Sequence, residues 1–181
     1  MTSTSLPLRH LELRVREIGQ LFNSMDPTPF HNKDLDHEAE AFIETWALGL
    51  PPRSRLQITI HLEHLPAEGD PSALMTDAIH SYFGYKAGLL HDDLKRLLKQ
   101  GRVSLLIGLT FVTVCLIAAD AIGKFGTGTA FTIARESLTI VGWVAMWRPL
   151  QTFLYDWWPL ARRIRVCKTL MHAHVRVVQG R

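Results

Sequence analysis

The chain has 181 residues, of which 47% are hydrophobic and 20% are charged, and its formal net charge is +3 at pH 7. This length permits one globular domain, and the two cysteines are too few and too far apart in sequence for a disulfide framework. The basic residues cluster beside apolar stretches without a groove-fitting motif, which disfavours nucleic-acid binding and favours contact with anionic lipid headgroups.

The first predicted strand covers residues 11–18, where apolar and polar side chains alternate. Two prolines then exclude regular structure from residue 26 to residue 30. Asp36 is predicted to cap a helix that runs to about Leu48, and Gly49 is predicted to end that helix.

A second strand is predicted over residues 56–63, again from strict alternation. The order of strand, helix and strand favours a parallel pair joined by a crossover. Two strands alone make a marginal sheet, so the domain is expected to gain area from the following helix or from another subunit. Because the N-terminal residues lack the apolar core of a signal peptide, we expect this small α/β domain, residues 1–70, to stay in the cytoplasm.

The next helix is predicted to begin at Asp70 and Pro71, an N-cap residue followed by proline at the first helical position. Residues 71–102 form a long amphipathic helix that leads into the membrane, with Gly101 as a position for a kink. Residues 103–119 carry no charge, and at about 1.5 Å per residue they nearly cross a hydrocarbon core of about 30 Å. They are the first predicted transmembrane span.

A flexible turn at residues 123–129 is predicted to reverse the chain before a second span, whose register has two solutions. The favoured register is 137–158, because Trp157 and Trp158 then form an aromatic belt followed by basic residues. The other register, about 129–147, buries a different set of charges.

The predicted plan is therefore an α+β membrane protein with a β-α-β-α domain, a two-helix transmembrane hairpin over residues 103–160 and a basic tail over residues 161–181. Lysine and arginine residues flank the start of the first span and follow the second, so both termini are expected to be cytoplasmic. The predicted membrane-interface anchors are Trp147, Trp157, Trp158, Arg162 and Arg163.

Three polar residues in or beside the predicted spans are candidate functional positions: Arg148, Asp156 and Asp120. An arginine buried in a bilayer costs about 2.5 kcal/mol or more on insertion scales. The first span offers no carboxylate at the depth of Arg148, and Asp156 lies two turns away on the same helix. The favoured interpretation is that Pro149 breaks the helix and Arg148 reaches the headgroups. The alternatives are a polar partner on another subunit or another protein, and a water-filled path.

Histidine pairs do not predict a metal site. His61 and His64 face opposite sides of a strand, and His172 and His174 share a face only in an extended segment. Neither pair has a third ligand nearby in sequence, whereas metal sites use three or four. No nucleophile or phosphate-loop motif is present, so neither a cofactor nor an enzymatic activity is expected.

Two stretches carry a resemblance: LFNSMDPTPFHNKDLDHEAEAFIETWA in the soluble part and VGWVAMWRPLQTFLYDWWPL in the second span. In these stretches the chain resembles a family of uncharacterised bacterial membrane proteins that have the same order of soluble domain and hairpin. The resemblance covers most of the chain. It implies a multi-pass protein of the bacterial inner membrane and implies no activity.

The leading functional hypothesis is a non-enzymatic membrane protein that self-associates as a homo-oligomer or scaffolds a membrane-protein partner. The alternative is an oligomeric channel or small transporter, with Arg148, Asp156 and Asp120 near the path. A third hypothesis places an enzyme site in the loop at residues 23–37, in a cleft that holds Asp26, His31 and Asp34.

Overall fold

A computed structural model describes residues 8–22, 35–51, 54–64, 70–126 and 128–179. The chain divides into two compact units. The first unit combines Met1–Leu90 with Arg162–Arg181, and the second unit is His91–Ala161. The fold is a mixed α and β structure in which the strands belong to the first unit and a long apolar helix enters the second.

The sheet of the first unit has three parallel strands in the order β1-β2-β3. The strands are β1 (Leu8–Val15), β2 (Arg55–Leu62) and β3 (His174–Gln179). The predicted parallel pairing of the first two strands is confirmed, although β1 begins and ends three residues earlier than the alternation indicated. Its register sets Leu11 beside Ile58 and Leu13 beside Ile60.

The third strand corrects the predicted basic tail. Residues 157–170 are helical and residues 174–179 pair with β2, so the described residues from Arg162 onward belong to the first unit. The added sheet area therefore comes from β3 of the same chain. Val175 and Val177 alternate with Arg176, but six residues are too short to distinguish a strand from a tail by pattern alone.

The two faces of the sheet differ in polarity, as alternation along each strand requires. One face presents Ile58 and Ile60, both fully buried, and Val175, which is 5% exposed. The opposite face carries polar residues such as His10 and Arg176, which are exposed. The core of the first unit joins the apolar face to buried side chains of three helices, among them Ile43, Ala47, Met75, Ile79, Phe83, Ile164, Cys167 and Leu170.

Helix α1 (His37–Leu48) confirms the predicted capping pattern. The carboxylate of Asp36 accepts hydrogen bonds from the backbone N–H groups of Glu38 and Ala39, at 3.0 and 3.4 Å. The helix ends where Gly49 donates back to the carbonyl groups of its last turn. Local sequence therefore defines both ends of α1.

Helix α2 spans Pro71–Phe125 without interruption, including the predicted kink position at Gly101. The Asp70 carboxylate accepts from the Ser72 N–H at 2.9 Å, which confirms the predicted start. Among the described residues, α2 is the one helix that is long and apolar enough to cross a membrane, by length and composition. Its most apolar 18-residue window has a mean hydropathy of 2.4, and 17% of that window is buried.

After residue 128 the chain is helical to residue 170, with one break and one wide turn. The segments are α3 (Thr129–Ala145), α4 (Trp147–Gln151), a π-helical turn (Thr152–Asp156) and α5 (Trp157–Leu170). The break has a local cause, because Pro149 lacks an N–H and its ring clashes with the carbonyl of Ala145, four residues earlier. Both registers predicted for the second span lie within this helical region, so the choice between them stays a prediction.

In the second unit, α2 lies against α3 and α4 at glycine positions. A Cβ atom on Gly142 would lie 3.2 Å from the Cβ of Cys115, and one on Gly101 would lie 2.9 Å from the methyl carbon of Thr152. A Cβ on Gly108 would lie 3.1 Å from the Met146 sulfur. Small residues at these points let the helix backbones approach closely.

Candidate functional site

The three predicted polar candidates lie at separate positions and form no ion pair with one another among the described residues. Arg148 is exposed on α4 and has no salt bridge within the described part of the chain. Asp120 is exposed and pairs with Lys124 at 2.7 Å, one turn along α2. Asp156 is half-buried at the end of the π-helical turn.

Thr152 links Asp156 to the backbone beside Arg148. Its hydroxyl oxygen lies 3.2 Å from the carbonyl oxygen of Arg148 and 3.4 Å from Oδ2 of Asp156. The side chain is 5% exposed, and its methyl group faces Gly101 on α2. π-Helical turns are rare and often mark functional positions, which makes this the most distinctive backbone feature of the second unit.

The predicted tryptophan anchors are exposed, by 74% for Trp147, 38% for Trp157 and 55% for Trp158. The indole N–H of Trp157 donates to the carbonyl of Phe153 at 2.8 Å. Rings that are large, apolar and exposed fit a surrounding of lipid better than one of water. Their role as interface anchors stays a prediction.

A group of charged side chains in the first unit was not predicted. Glu40 and Glu44 lie one turn apart on α1, Lys86 projects from α2, and Arg163 projects from α5. We call these four residues the charge cluster. It joins the three helices that cover the sheet.

Lys86 is the centre of the charge cluster. Its ammonium group donates to carboxylate oxygens of both Glu40 and Glu44. The hydroxyl of Tyr82, one turn earlier on α2, donates to the second oxygen of Glu40 at 2.5 Å. Arg163 completes the cluster with a forked contact to Glu44, in which Nε and Nη2 donate at 2.5 and 3.2 Å.

Burial and pairing have opposite effects on the pKa values of the cluster. Burial by itself raises the pKa of Glu40, but hydrogen bonds from Lys86 and Tyr82 outweigh it and hold the pKa below the ordinary value of 4.5. The pKa of Glu44 is lowered in the same way, with burial opposed by Arg163 and Lys86.

The pKa values of the two cations in the charge cluster are shifted upward. Burial lowers the pKa of Lys86, yet the hydrogen bonds to the two carboxylates raise it above 10.5 overall. The hydrogen bond to Glu44 raises the pKa of Arg163. All four groups are therefore charged at neutral pH, and the arrangement is a structural ion-pair network without a neutral acid or base suited to proton transfer.

Arg162 and Arg163, two of the predicted membrane-interface anchors, both contact α1, and their role as anchors stays a prediction. Arg162 donates to the Leu48 carbonyl at 2.7 Å, and Arg163 pairs with Glu44. Helices α2 and α5 both continue from the first unit into the second. The charge cluster therefore links, through α1, the two helices by which the chain leaves the first unit and returns to it.

Two sequence signals could have revealed the cluster. Lys86 falls in the apolar stripe of α2, and a cation on a buried face needs an anion nearby. Glu40 and Glu44 are four residues apart and therefore share a face of α1. The position of Arg163 beside them is a tertiary contact across more than one hundred residues, which no local pattern contains.

The polar face of the sheet holds a second, looser group. His10 Nε2 lies 2.6 Å from the Thr59 hydroxyl, and His61 Nε2 is buried and lies 3.8 Å from a carboxylate oxygen of Glu12, too far for a hydrogen bond. Within the described ranges, histidine, cysteine, aspartate and glutamate side chains form no group of three or more able to hold a metal ion. Residues Asp26, His31 and Asp34 of the proposed enzyme loop lie outside the described residues.

No protein-family model, curated protein or solved structure matches the chain. The geometry of its own residues is therefore the basis for any functional conclusion.

Proposed function

We propose that the chain is a non-enzymatic membrane protein in which a two-helix hairpin anchors a small α/β domain to the cytoplasmic face of a bacterial inner membrane. In this proposal it self-associates or scaffolds a membrane-protein partner. The observation that carries the proposal is the set of large apolar side chains exposed along the helices of the second unit.

These side chains lie on α2, α3 and α4. Those more than 60% exposed are Leu106, Ile107, Ile117, Phe125, Ile140, Trp143, Val144 and Trp147. Exposing apolar surface to water costs about 25 cal/mol per Å², whereas hydrocarbon imposes no such cost. The core helix of a soluble protein would be mostly buried, but 17% of the most apolar window of α2 is buried.

The glycine contacts support a hairpin. Gly101 faces Thr152, Gly108 faces Met146, and Gly142 faces Cys115, so positions that advance along α2 meet positions that recede along the later helices. Helices that run antiparallel across a bilayer return the chain to its starting side. The basic residues at both ends of the pair favour the cytoplasm for that side.

Arg148 supports association. It is exposed on α4, and none of the described carboxylates forms an ion pair with it. Within a bilayer an unpaired arginine costs about 2.5 kcal/mol or more, and a carboxylate from a second copy or a partner would reduce that cost.

Membrane insertion is tested by alkaline carbonate extraction of bacterial membranes that contain the full chain. The chain is expected to stay with the lipid pellet, and single cysteines placed near residues 95 and 165 should both be labelled from the cytoplasmic side only. Release into the supernatant would contradict the membrane anchor, and labelling from opposite sides would contradict the hairpin.

Association is tested by native mass spectrometry from lipid nanodiscs. The unaltered chain is expected as an oligomer or with a stoichiometric partner, and Arg148→Leu should dissociate it. Arg14→Leu, which removes an exposed arginine from the sheet, is the matched control and should have no effect. A monomer without a partner under all lipid compositions would contradict the association.

The half-buried Asp156 beside a π-helical turn favours one alternative, an oligomeric channel or transporter. Ion flux into liposomes that contain the purified chain would distinguish it from a scaffold. A channel predicts flux that Asp156→Asn and Arg148→Gln reduce, whereas a scaffold predicts no flux above that of empty liposomes.

A further inference from the structure

We propose that a cleft at the start of the three strands binds a phosphate-bearing ligand, either a small organic phosphate or a lipid headgroup. The cleft has a volume of about 560 Å³ and lies within the first unit. Its polar lining includes Arg55, Gln57, Lys168, Thr169, His172 and His174. This inference goes beyond the proposed anchoring role and does not depend on it.

The backbone around the cleft is held by buried apolar residues and by turn hydrogen bonds. Leu170 and Ala173 are buried on either side of the turn between α5 and β3, and the Ala173 N–H donates to the Leu170 carbonyl at 3.0 Å. On the other wall, the buried Ser54 hydroxyl donates to the Pro51 carbonyl at 2.9 Å, just before β2 begins. The polar side chains therefore project from a fixed frame.

The described ionisable side chains that line the cleft are an arginine, a lysine and two histidines. Arg55 and Lys168 are exposed, and neither forms a salt bridge within the described residues. His172 and His174 likewise have no carboxylate partner in the part of the chain that the structure describes. Cations that face a cleft without anions produce a local positive potential that attracts an anionic ligand.

The lining of the cleft suits a phosphate-bearing ligand better than a neutral ligand. Arginine donates two parallel hydrogen bonds to phosphate oxygens, and lysine adds a point charge. Gln57 and Thr169 offer neutral donors, while Leu8 and Leu56 form an apolar wall for an organic portion. The volume falls in the usual range of about 300–1,000 Å³ for small-molecule sites.

Free phosphate is tested by calorimetric titration of inorganic pyrophosphate into the full chain in phosphatidylcholine nanodiscs. Saturable binding is expected, and the double variant Arg55→Gln, Lys168→Gln should weaken it about tenfold or more, since it removes two cations that donate charged hydrogen bonds to phosphate oxygens. The control double variant Arg14→Gln, Arg176→Gln removes two exposed sheet cations outside the cleft and should change affinity less than about twofold.

A lipid source is tested by native mass spectrometry from nanodiscs that contain phosphatidic acid. Retention of one lipid per chain that the cleft variant abolishes and the control variant keeps would assign the site to a headgroup. Pyrophosphate binding without lipid retention would assign it to a soluble phosphate.

The single variant His174→Gln keeps the proposal testable where the double variant fails to fold, because it changes one exposed side chain. It should weaken pyrophosphate binding while the circular dichroism spectrum is unchanged. Absence of both pyrophosphate binding and phosphatidic acid retention, or equal losses in the cleft and control variants, would overturn the proposal. In that case Lys168 and His172 would serve only to offset the negative end of the α5 dipole.

Discussion

Glu44 is the residue on which the charge cluster depends most, because it accepts hydrogen bonds from both Lys86 and Arg163. Its side chain is 7% exposed. Replacing it removes an anion and leaves two partly buried cations with only Glu40 nearby. A buried ion pair broken on one side is strongly destabilising, whereas the intact pair adds little over apolar packing.

Glu44→Gln is therefore expected to lower the free energy of unfolding by about 2–3 kcal/mol. Urea titration of the full chain in mild detergent, followed by circular dichroism, measures the change. Glu17→Gln, at an exposed position without a salt bridge in the described residues, is the control and should stay within about 0.5 kcal/mol. Equal effects of the two variants would mean that the cluster does not hold the helices together.

The pKa shifts of the cluster predict how stability varies with pH. The carboxylates of Glu40 and Glu44 have pKa values below 4.5 when folded, so their contribution is present above pH 4.5 and lost as the pH falls through the lowered values. The pKa of Lys86 is raised above 10.5, so its contribution is present below pH 10.5 and lost as the pH rises through the raised value.

The urea concentration at the unfolding midpoint is accordingly expected to be highest between pH 4.5 and pH 10.5. It should fall at lower and at higher pH. In Glu44→Gln the acid limb should be shallower, because one of the two carboxylates that must be protonated is missing. Midpoints measured from pH 3 to pH 11 test this, and an unchanged acid limb in the variant would contradict the assignment.

At the scale of elements, the contact between α2 and α3 depends on glycine. A side chain at Gly142 would meet the Cβ of Cys115 at 3.2 Å and the Val112 backbone at 3.7 Å. At Gly88, which lies on α2, nothing is within 4 Å of the added atom. The same substitution should therefore have opposite consequences at the two positions.

Gly142→Leu is expected to force the helices apart and to destabilise the chain by about 1–3 kcal/mol, the usual cost of overpacking. Gly88→Leu should be neutral or stabilising by up to about 1 kcal/mol, because leucine is a better helix former than glycine. Thermal unfolding in detergent, followed by tryptophan fluorescence, compares the two. Similar midpoints for both variants would show that α2 and α3 are not in contact.

At the scale of the whole molecule, the domain is completed by its last strand. β3 hydrogen-bonds to β2, and further contacts join it and the preceding turn to α2. His80 Nε2 lies 2.8 Å from the Ala173 carbonyl oxygen, and the Val177 N–H donates to the Ser72 hydroxyl at 3.2 Å. Residues at both ends of the chain are thus needed for one sheet, with the apolar helices between them in sequence.

Val175→Asn is expected to destabilise the first unit by about 2–3 kcal/mol, because it places an amide in a site that is 5% exposed. Val178→Asn, on the opposite face and 40% exposed, is the matched control and should change stability by less than about 0.5 kcal/mol. Hydrogen exchange of the β2 amides measures the difference. Unchanged protection of β2 in the first variant would mean that β3 does not complete the sheet.

The sequence by itself determined the features that depend on neighbouring residues. Alternation identified β1 and β2, the Asp36 and Asp70 side chains located two helix starts, and the uncharged run after residue 102 identified the apolar part of α2. Each of these signals lies within one continuous segment of the chain, because capping, periodicity and the length of an apolar run are local effects.

Only the tertiary structure decided the rest. β3 pairs with a strand more than one hundred residues earlier, and Arg163 meets Glu44 across a similar separation. The same is true of the cleft at the start of the strands, whose walls come from the three strands and the end of α5. Such contacts depend on which surfaces meet when the chain closes, and a short polar segment carries no local signal of a distant partner.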